Sequence, residues 1–390
     1  MISSRVRGIG MSATLRISAL AAQMRADGRD VLDFSAGQPD FPTPDHVLKA
    51  GHEALDAGQT RYTATPGIAE LREAICDDVE STHGLRYSPG QVLVSPGAKA
   101  SLYFALMTLV DEGDEVLLPS PFWVSYPEQI RLFGGKVVTV PCDEARGFAL
   151  SVEDLAARCS DRTKVLILNY PSNPTGAGFD RAALKAIADF CLERKIWVVA
   201  DEIYSKLVYD GRPFVSIVAA EPRMRDQTVL IDGMSKTFSM TGWRVGYALA
   251  PEDVAKGMTR AQSHSTSNAT SISQWASVRA MRGDRGWLDR RVAAFQERRD
   301  AIVTRLRAIE GVECVRPDGA FYAFPNVSAR FTGAIDSGAA MAEFLLKDAE
   351  VAVVPGDAFG SPAHLRCSYA DSLERIHEGM DRVERALGTL

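Results

Sequence analysis

The amino-acid sequence predicts an α/β fold: a mostly parallel sheet with helices on both faces, plus a smaller α+β domain. Helix-period segments and short apolar segments alternate from about residue 45 to 290, which favours a doubly wound parallel sheet. The apolar segments, such as QVLVS and KVLILNY, are continuously apolar in their centres, and this is typical of strands buried on both faces. After residue 290 the alternation ends, and a long helical stretch precedes short extended segments and a final amphipathic helix.

The individual elements follow from periodicity and from start and stop signals. Helices are predicted over residues 44–58, 67–84, 98–110, 127–134, 151–159, 181–195 and 289–311. Strands or extended segments are predicted over residues 91–95, 114–119, 136–141, 164–170, 196–204, 321–327 and 351–356. We therefore expect a large domain at 45–289 and a small domain formed by 1–44 and 290–390.

Composition limits the classes of function. The chain has 390 residues, 46% of them hydrophobic, and a formal net charge of −6, so nothing attracts it to nucleic acid or to an anionic membrane. Its six cysteines include no C-x-x-C pair, which argues against a zinc site or a disulfide framework and favours a reducing compartment. No apolar stretch approaches the roughly 20 residues of a membrane span. We expect a cytoplasmic protein without a metal.

Ligands of doubly wound sheets bind beyond the carboxyl ends of the strands. The polar or turn-rich segments at those positions are SPGAKA (95–100), NYPSNPTG (169–176), DEIY (201–204) and GMSKT (233–237). These four segments are therefore the candidate site.

Lys236 is the central candidate in this set. A lysine at the end of a buried strand is desolvated, which lowers its pKa and suits it to form a Schiff base; the alternative is a lysine whose amine reaches the surface. Ser235 offers a hydroxyl beside it, and Arg244 in the next apolar stretch would be a costly half-buried cation unless it met an anion. A phosphate held by Ser235 and Arg244 next to a reactive amine indicates pyridoxal phosphate.

A pyridine ring of this kind needs a carboxylate at its nitrogen, because the protonated ring is the better electron sink. Asp201 ends the apolar segment IWVVAD and is placed for this role, although a cap or turn aspartate would occupy such a position too. Tyr204 and Asn173 lie in neighbouring strand-end segments and could hydrogen-bond the phenolic oxygen of the ring.

Further residues extend the candidate site. The backbone amides of Gly97, Ala98 and Lys99 begin a helix and can point at a phosphate, but SPGAKA matches neither a dinucleotide nor a nucleotide-triphosphate loop. Trp123 could lie on the cofactor ring or belong to the core. Arg366 offers a guanidinium fork for an α-carboxylate or forms a surface salt bridge.

Several motifs together resemble a known family. NYPSNPTG, ADEIYSKLVYDG, GMSKTFSMTGWRVGY, GAFYAFPNVS and VAVVPGDAFG with HLRCSYA are similar to the class I aminotransferases of pyridoxal phosphate fold type I. The resemblance is to the bacterial aspartate aminotransferase branch, which includes the aspartate/prephenate enzymes, and it covers nearly the whole chain. It implies a homodimer with active sites at the subunit interface.

The resemblance also assigns residues. Tyr62 matches a tyrosine that reaches the partner subunit's cofactor phosphate, and Gly37 matches a glycine beside the substrate carboxylate. Lys99 and Thr14 align with positions that contact the distal carboxylate of a dicarboxylic substrate, while Trp123 and Asn173 face cofactor and substrate. Phe104 and Ala269 depart from the family pattern, and these departures leave the cofactor chemistry intact.

The predicted activity is therefore transfer of the amino group of an L-amino acid, aspartate or glutamate above all, to a 2-oxo acid. Lys236, Asp201 and Tyr204 are the expected catalytic residues of this ping-pong reaction. The alternatives are a lyase or amino-acid oxidase with the same cofactor, which stabilises any carbanion at Cα, or an aminotransferase for prephenate or specialised substrates. A regulatory binding module is a further class, whereas a dehydrogenase would need a glycine fingerprint after the first strand.

Overall fold

The computed structural model describes residues 2–10 and 13–390. Its α-helices are α1 (Ser4–Arg7), α2 (Ala13–Ala26), α3 (Asp45–Asp56), α4 (Ala69–His83), α5 (Ala98–Leu109), α6 (Ser125–Leu132), α7 (Val152–Ala156), α8 (Arg181–Arg194), α9 (Ile217–Ala220), α10 (Met234–Thr237), α11 (Glu252–Ser263), α12 (Ser271–Arg282), α13 (Gly286–Ala308), α14 (Gly338–Asp348) and α15 (Leu373–Leu387). Its strands are β1 (Leu32–Asp33), β2 (Val92–Ser95), β3 (Glu115–Ser120), β4 (Lys136–Pro141), β5 (Thr163–Asn169), β6 (Trp197–Asp201), β7 (Thr228–Gly233), β8 (Gly246–Leu249), β9 (Tyr322–Ala323), β10 (Val351–Ala352), β11 (Val354–Pro355) and β12 (Leu365–Ser368).

A seven-stranded sheet of order β2-β8-β7-β6-β5-β3-β4 forms the centre. The pairs β7–β6, β6–β5, β5–β3 and β3–β4 are parallel, and β8 runs antiparallel to both of its neighbours. Strand β8 therefore begins at the edge where the parallel strands end. The predicted mostly parallel α/β sheet is confirmed.

Two hydrophobic cores lie on opposite faces of this sheet, because successive side chains of a strand point to opposite faces. In β6, Val198 and Ala200 belong to one core, which also contains Leu71 of α4 and Leu184 of α8. Val199 lies between them in sequence and belongs to the other core, which includes residues of α5 and α11. Helices on both faces explain why the central strands are continuously apolar.

The C-terminal part of the chain forms two small sheets. Strand β1 pairs in parallel with β10, so the N-terminal segment joins this part, and β11, β12 and β9 form an antiparallel sheet. The division of the chain into two domains stays a prediction. No helix within residues 2–10 and 13–390 is long and apolar enough to cross a membrane.

Three predicted segments differ in extent from the structure. The segment 196–204 is a strand only as far as Asp201, since the amide of Ser205 turns back to the carbonyl of Glu202. The segment 351–356 is two strands, with β10 pairing β1 and β11 pairing β12. In 321–327 only β9 is a strand, and Pro325 has no amide with which to extend it.

Candidate active site

A cavity of about 560 Å³ lies at the carboxyl ends of β5, β6 and β7. Because β8 is antiparallel, the residues just before it reach the same edge, and this brings Arg244 to the cavity. Most of the predicted site residues line it: Gly37, Ala98, Lys99, Trp123, Asn173, Asp201, Tyr204, Ser235, Lys236, Arg244 and Arg366. A cavity therefore lies where ligands of doubly wound sheets bind, beyond the carboxyl ends of the parallel strands.

Three predicted residues are not among the lining residues. Gly97 lies directly behind Arg244. Tyr62 is 91% exposed, so within one chain it does not contribute to the cavity. Thr14 lies in α2, but its side chain is outside the described part of the structure.

Lys236 lies in α10, the short helix that follows β7. Burial, and next the charges of Arg366 and Arg244, lower the pKa of its amine to about 7. The amine donates a hydrogen bond of 2.5 Å to the carbonyl of Gly37. A large fraction of Lys236 is therefore neutral near pH 7, which is the nucleophilic form.

Asp201 ends β6 and is buried. Tyr126 of α6 donates a hydrogen bond of 2.7 Å to Oδ2, and the amide of Ile203 lies 3.3 Å from Oδ1. Burial raises the pKa of this carboxyl, while the bond from Tyr126 opposes the shift. The carboxylate is thus held by two donors and faces the cavity near Lys236.

Arg366 lies on β12 and is buried. Its Nη1 donates to Oδ1 of Asn173 at 3.0 Å, and its Nη2 donates to the carbonyl of Ser35 at 2.8 Å. The guanidinium also lies over the ring of Tyr322, 4.4 Å from the centroid. These contacts fix the plane of the guanidinium at the cavity wall.

A second group of hydrogen-bond donors, distinct from Arg366, surrounds the start of α5. Gly97 has φ 88°, and no side chain caps this helix, so its first amides are free for an anion. A Cβ at Gly97 would lie 2.4 Å from Nη2 of Arg244, so only glycine lets the guanidinium approach the helix start. Ser235 is buried beside the same cavity.

The charges of the lining residues are strongly unequal. Four basic side chains line the cavity, namely Lys99, Lys236, Arg244 and Arg366, whereas Asp201 is the single carboxylate among the described lining residues. Over the described residues, none of these basic groups lies within ion-pair distance of a carboxylate. Because uncompensated cations in a partly buried site are costly, the cavity is suited to bind several anionic groups.

Sequence reasoning missed two tyrosines of the site. Tyr126 lies three residues after Trp123 in the segment PFWVSYPE, but nothing in the sequence indicates its bond to Asp201. Tyr322 lines the cavity, and its hydroxyl lies 2.9 Å from that of Tyr204. The only available signal was its place in the motif GAFYAFPNVS.

A neutral lysine among anion-binding groups at the end of a parallel sheet defines an enzyme that condenses an amine with a phosphorylated aldehyde. Residues 29–383 match the family model described as aminotransferase class I and II, and the chain belongs to that family. It is a pyridoxal phosphate-dependent aminotransferase, which moves an amino group between an amino acid and a 2-oxo acid.

Named relatives cover almost the whole chain. A probable aspartate/prephenate aminotransferase of Aquifex aeolicus is 45% identical, over 99% of this chain and 98% of the relative. The aspartate aminotransferase of Bacillus subtilis is 43% identical, over 98% of each chain. Among solved structures, an aspartate aminotransferase of Rhizobium meliloti has a TM-score of 0.96 and 40% identity, covering 100% of this chain and 99% of that chain.

The observed residues fit pyridoxal phosphate. Gly97 leaves room for Arg244 at the uncapped start of α5, and Arg244 has no carboxylate partner among the described residues, so these groups are complementary to a phosphate. Lys236 offers a neutral amine for the aldehyde, and Asp201 offers an anion for the ring nitrogen. The phosphate, the aldehyde and the ring nitrogen of the cofactor therefore each have a complementary partner at this cavity.

Proposed function

We propose that the amino donor is L-aspartate, with a dicarboxylic 2-oxo acid as acceptor. The supporting observation is the number of cations. Arg244 would bind the phosphate, Arg366 would bind the α-carboxylate of the amino acid, and the amine of Lys236 would react with the aldehyde. Lys99 is then the one basic side chain of the four without a ligand group, and a second substrate carboxylate would pair with it.

Lys99 has the properties that this role requires. Its ammonium lies 4.8 Å from the ring centroid of Trp123 at the cavity wall. Burial and the charge of Arg244 lower the pKa of Lys99, so an arriving anion would stabilise its charged form. The relatives from Bacillus subtilis and Rhizobium meliloti are named aspartate aminotransferases, and this agrees with a substrate that carries two carboxylates.

Lys236, Asp201 and Tyr204 have different roles in the proposed reaction. Bound pyridoxal phosphate supplies an electron sink for the charge left when a proton leaves Cα. Lys236, once its amine is free and neutral, would take the proton from Cα and deliver it to the former aldehyde carbon of the cofactor. Asp201 would keep the ring nitrogen protonated, and Tyr204 would hydrogen-bond the phenolic oxygen.

Arg366 orients the substrate. Its Nη1 and Nη2 are already held by Asn173 and by the carbonyl of Ser35, and its Nε is buried without a hydrogen-bond partner among the described residues. The guanidinium is therefore preorganised for an α-carboxylate. A carboxylate fixed at this point would hold the substrate in the cavity that Lys236 also lines.

The proposal includes a homodimer in the cytoplasm. Tyr62 is 91% exposed, and Leu48 and Leu55 of α3 are exposed apolar residues, as a partner-contacting surface requires. In a two-fold dimer the Tyr62 side chain would complete the phosphate site of the other subunit. All six cysteines are free, which is typical of a reducing compartment.

Substitution of Lys99 tests the substrate. Lys99→Met should raise KM for L-aspartate about 10- to 100-fold, the loss of one charge-assisted bond, and leave KM for L-alanine within about twofold. Lys99→Arg keeps the charge and is the matched control, with a KM for aspartate closer to that of the wild type. An equal loss for aspartate and alanine in Lys99→Met would contradict the assignment.

Prephenate is a second candidate acceptor. The Aquifex aeolicus relative is named an aspartate/prephenate enzyme, and prephenate carries a second carboxylate that Lys99 could bind. Amino transfer from aspartate to prephenate, followed by chromatography of the aminated product, tests this. Turnover with 2-oxoglutarate and none with prephenate would exclude it.

A further inference from the structure

Tyr322 connects the two halves of the candidate site. It lies on β9, is 1% exposed and lines the cavity. Its hydroxyl is 2.9 Å from the hydroxyl of Tyr204, and its ring lies 4.4 Å from the guanidinium of Arg366. The residue therefore contacts both the proposed cofactor-binding tyrosine and the proposed carboxylate-binding arginine.

We propose that Tyr322 is a positioning residue with two separable functions: its hydroxyl donates to the Tyr204 oxygen, and its ring orients Arg366. This inference rests on the roles proposed above for Tyr204 and Arg366, and it adds a residue that acts through both.

The direction of the hydrogen bond follows from the number of protons available. Two hydroxyls share one contact, so only one of them donates in it. If Tyr204 donated to Tyr322, it would have no proton left for the phenolic oxygen of the cofactor. Donation from Tyr322 leaves the Tyr204 proton free for that oxygen, and hydrogen bonds in such chains strengthen one another.

The ring function follows from burial. Arg366 is 2% exposed, and no carboxylate of the described residues pairs with it. A cation desolvated in this way gains from an aromatic face, and the ring below it limits rotation of the guanidinium plane.

Two variants separate these functions. Tyr322→Phe removes the hydroxyl and keeps the ring, whereas Tyr322→Leu removes both. Tyr369→Phe is the matched control, because Tyr369 is a buried tyrosine whose hydroxyl donates to the carbonyl of Ala320 outside the cavity. Thermal unfolding of each holoenzyme checks that the fold is kept.

The first readout is the pH titration of the cofactor's visible absorbance in the holoenzyme. Weaker donation to the phenolic oxygen makes the bound cofactor more basic. Tyr322→Phe should therefore raise the apparent pKa of the bound cofactor by a few tenths of a unit, and Tyr204→Phe should raise the same pKa by about one unit. Tyr369→Phe should leave it unchanged. A shift in Tyr204→Phe without one in Tyr322→Phe would overturn the hydroxyl function alone, and no shift in either would overturn the role of Tyr204 as well.

The second readout is binding of maleate, a dicarboxylate, measured from the same absorbance. Tyr322→Phe should keep the Kd of maleate within about twofold, and Tyr322→Leu should raise it about five- to tenfold, as expected for a lost cation–π contact. Equal binding by both variants would overturn the ring function. Arg366→Lys tests separately whether Arg366 binds the carboxylate. An unchanged Kd of maleate in this variant would contradict the proposed role of Arg366 rather than the ring function of Tyr322.

Discussion

The hydroxyl of Tyr126 donates a hydrogen bond of 2.7 Å to Oδ2 of Asp201, and both side chains are buried. The bond counteracts burial, which raises the pKa of Asp201. It therefore helps to keep the carboxylate anionic, as a protonated pyridine ring requires.

Removal of this donor should weaken the cofactor site. In Tyr126→Phe the pKa of Asp201 should rise further, and the Kd of pyridoxal phosphate for the apoprotein should increase about tenfold, the equivalent of one hydrogen bond to a charged group. Fluorescence titration of the apoprotein measures this. Tyr103→Phe, which alters a tyrosine packed against Phe133, is the control, and an equal Kd in both variants would contradict the role of Tyr126.

Gly97 should be essential for a steric reason. In Gly97→Ala the new Cβ would lie 2.4 Å from Nη2 of Arg244, so the guanidinium must move away from the helix start. We expect the affinity for pyridoxal phosphate to fall at least about tenfold, since a charge-assisted contact is lost.

A matched control separates this clash from backbone strain. Gly113 has φ +85°, close to the +88° of Gly97, but a Cβ there would meet nothing within 4 Å. Gly113→Ala should therefore lower stability in a similar way and leave cofactor affinity unchanged. Equal cofactor affinity in the two variants would show that the approach of Arg244 does not matter.

Lys236 should make the stability of the apoprotein depend on pH. Its pKa falls from the usual 10.5 to about 7 in the folded chain, so between these values the unfolded chain binds more protons than the folded chain. Stability from this group therefore rises with pH across that window, and the full cost of the buried charge is present below about pH 7.

Urea unfolding of the apoprotein tests this sign. Lys236→Met carries no charge to bury, so it should be more stable than the wild type at about pH 6, and the difference in free energy of unfolding should shrink by about pH 10. A difference that stayed constant over this range would contradict the lowered pKa.

The exposure of Tyr62 predicts complementation between subunits. Tyr62→Ala and Lys236→Ala should each be weakly active alone. In a co-expressed mixture, each mixed dimer of the proposed architecture contains one site with neither substitution, so about a quarter of wild-type activity should return. Sedimentation of the same samples verifies the dimers. Activity no higher than the sum of the two variants would exclude a shared site.

Local sequence patterns predicted five of the seven strands of the large sheet, all but β7 and β8, and the polar segments at the strand ends, because continuous apolar runs and strand-end polar groups are local features. Asp201 and Lys236 were found in this way. The hydrogen bond from Tyr126 to Asp201 joins residues 75 positions apart, and that between Tyr204 and Tyr322 spans 118 positions. Contacts of this length depend on tertiary packing, which periodicity does not encode.

The C-terminal strands were predicted less accurately for a similar reason. VAVVPG is uniformly apolar, and nothing local indicates that β10 and β11 pair with different strands. Arg244 lies at the carboxyl-end edge of the sheet because β8, which follows it, is antiparallel to its neighbours. The direction of β8 is defined only in the assembled sheet.

The proposed aspartate aminotransferase activity is tested most directly by the absorbance spectrum of the purified holoenzyme before and after addition of L-aspartate, with no 2-oxo acid present. We predict that the visible band of the lysine-bound cofactor disappears and the spectrum of its amine form replaces it, with one oxaloacetate released per site. A coloured holoenzyme whose spectrum is unchanged by aspartate would contradict the proposed substrate.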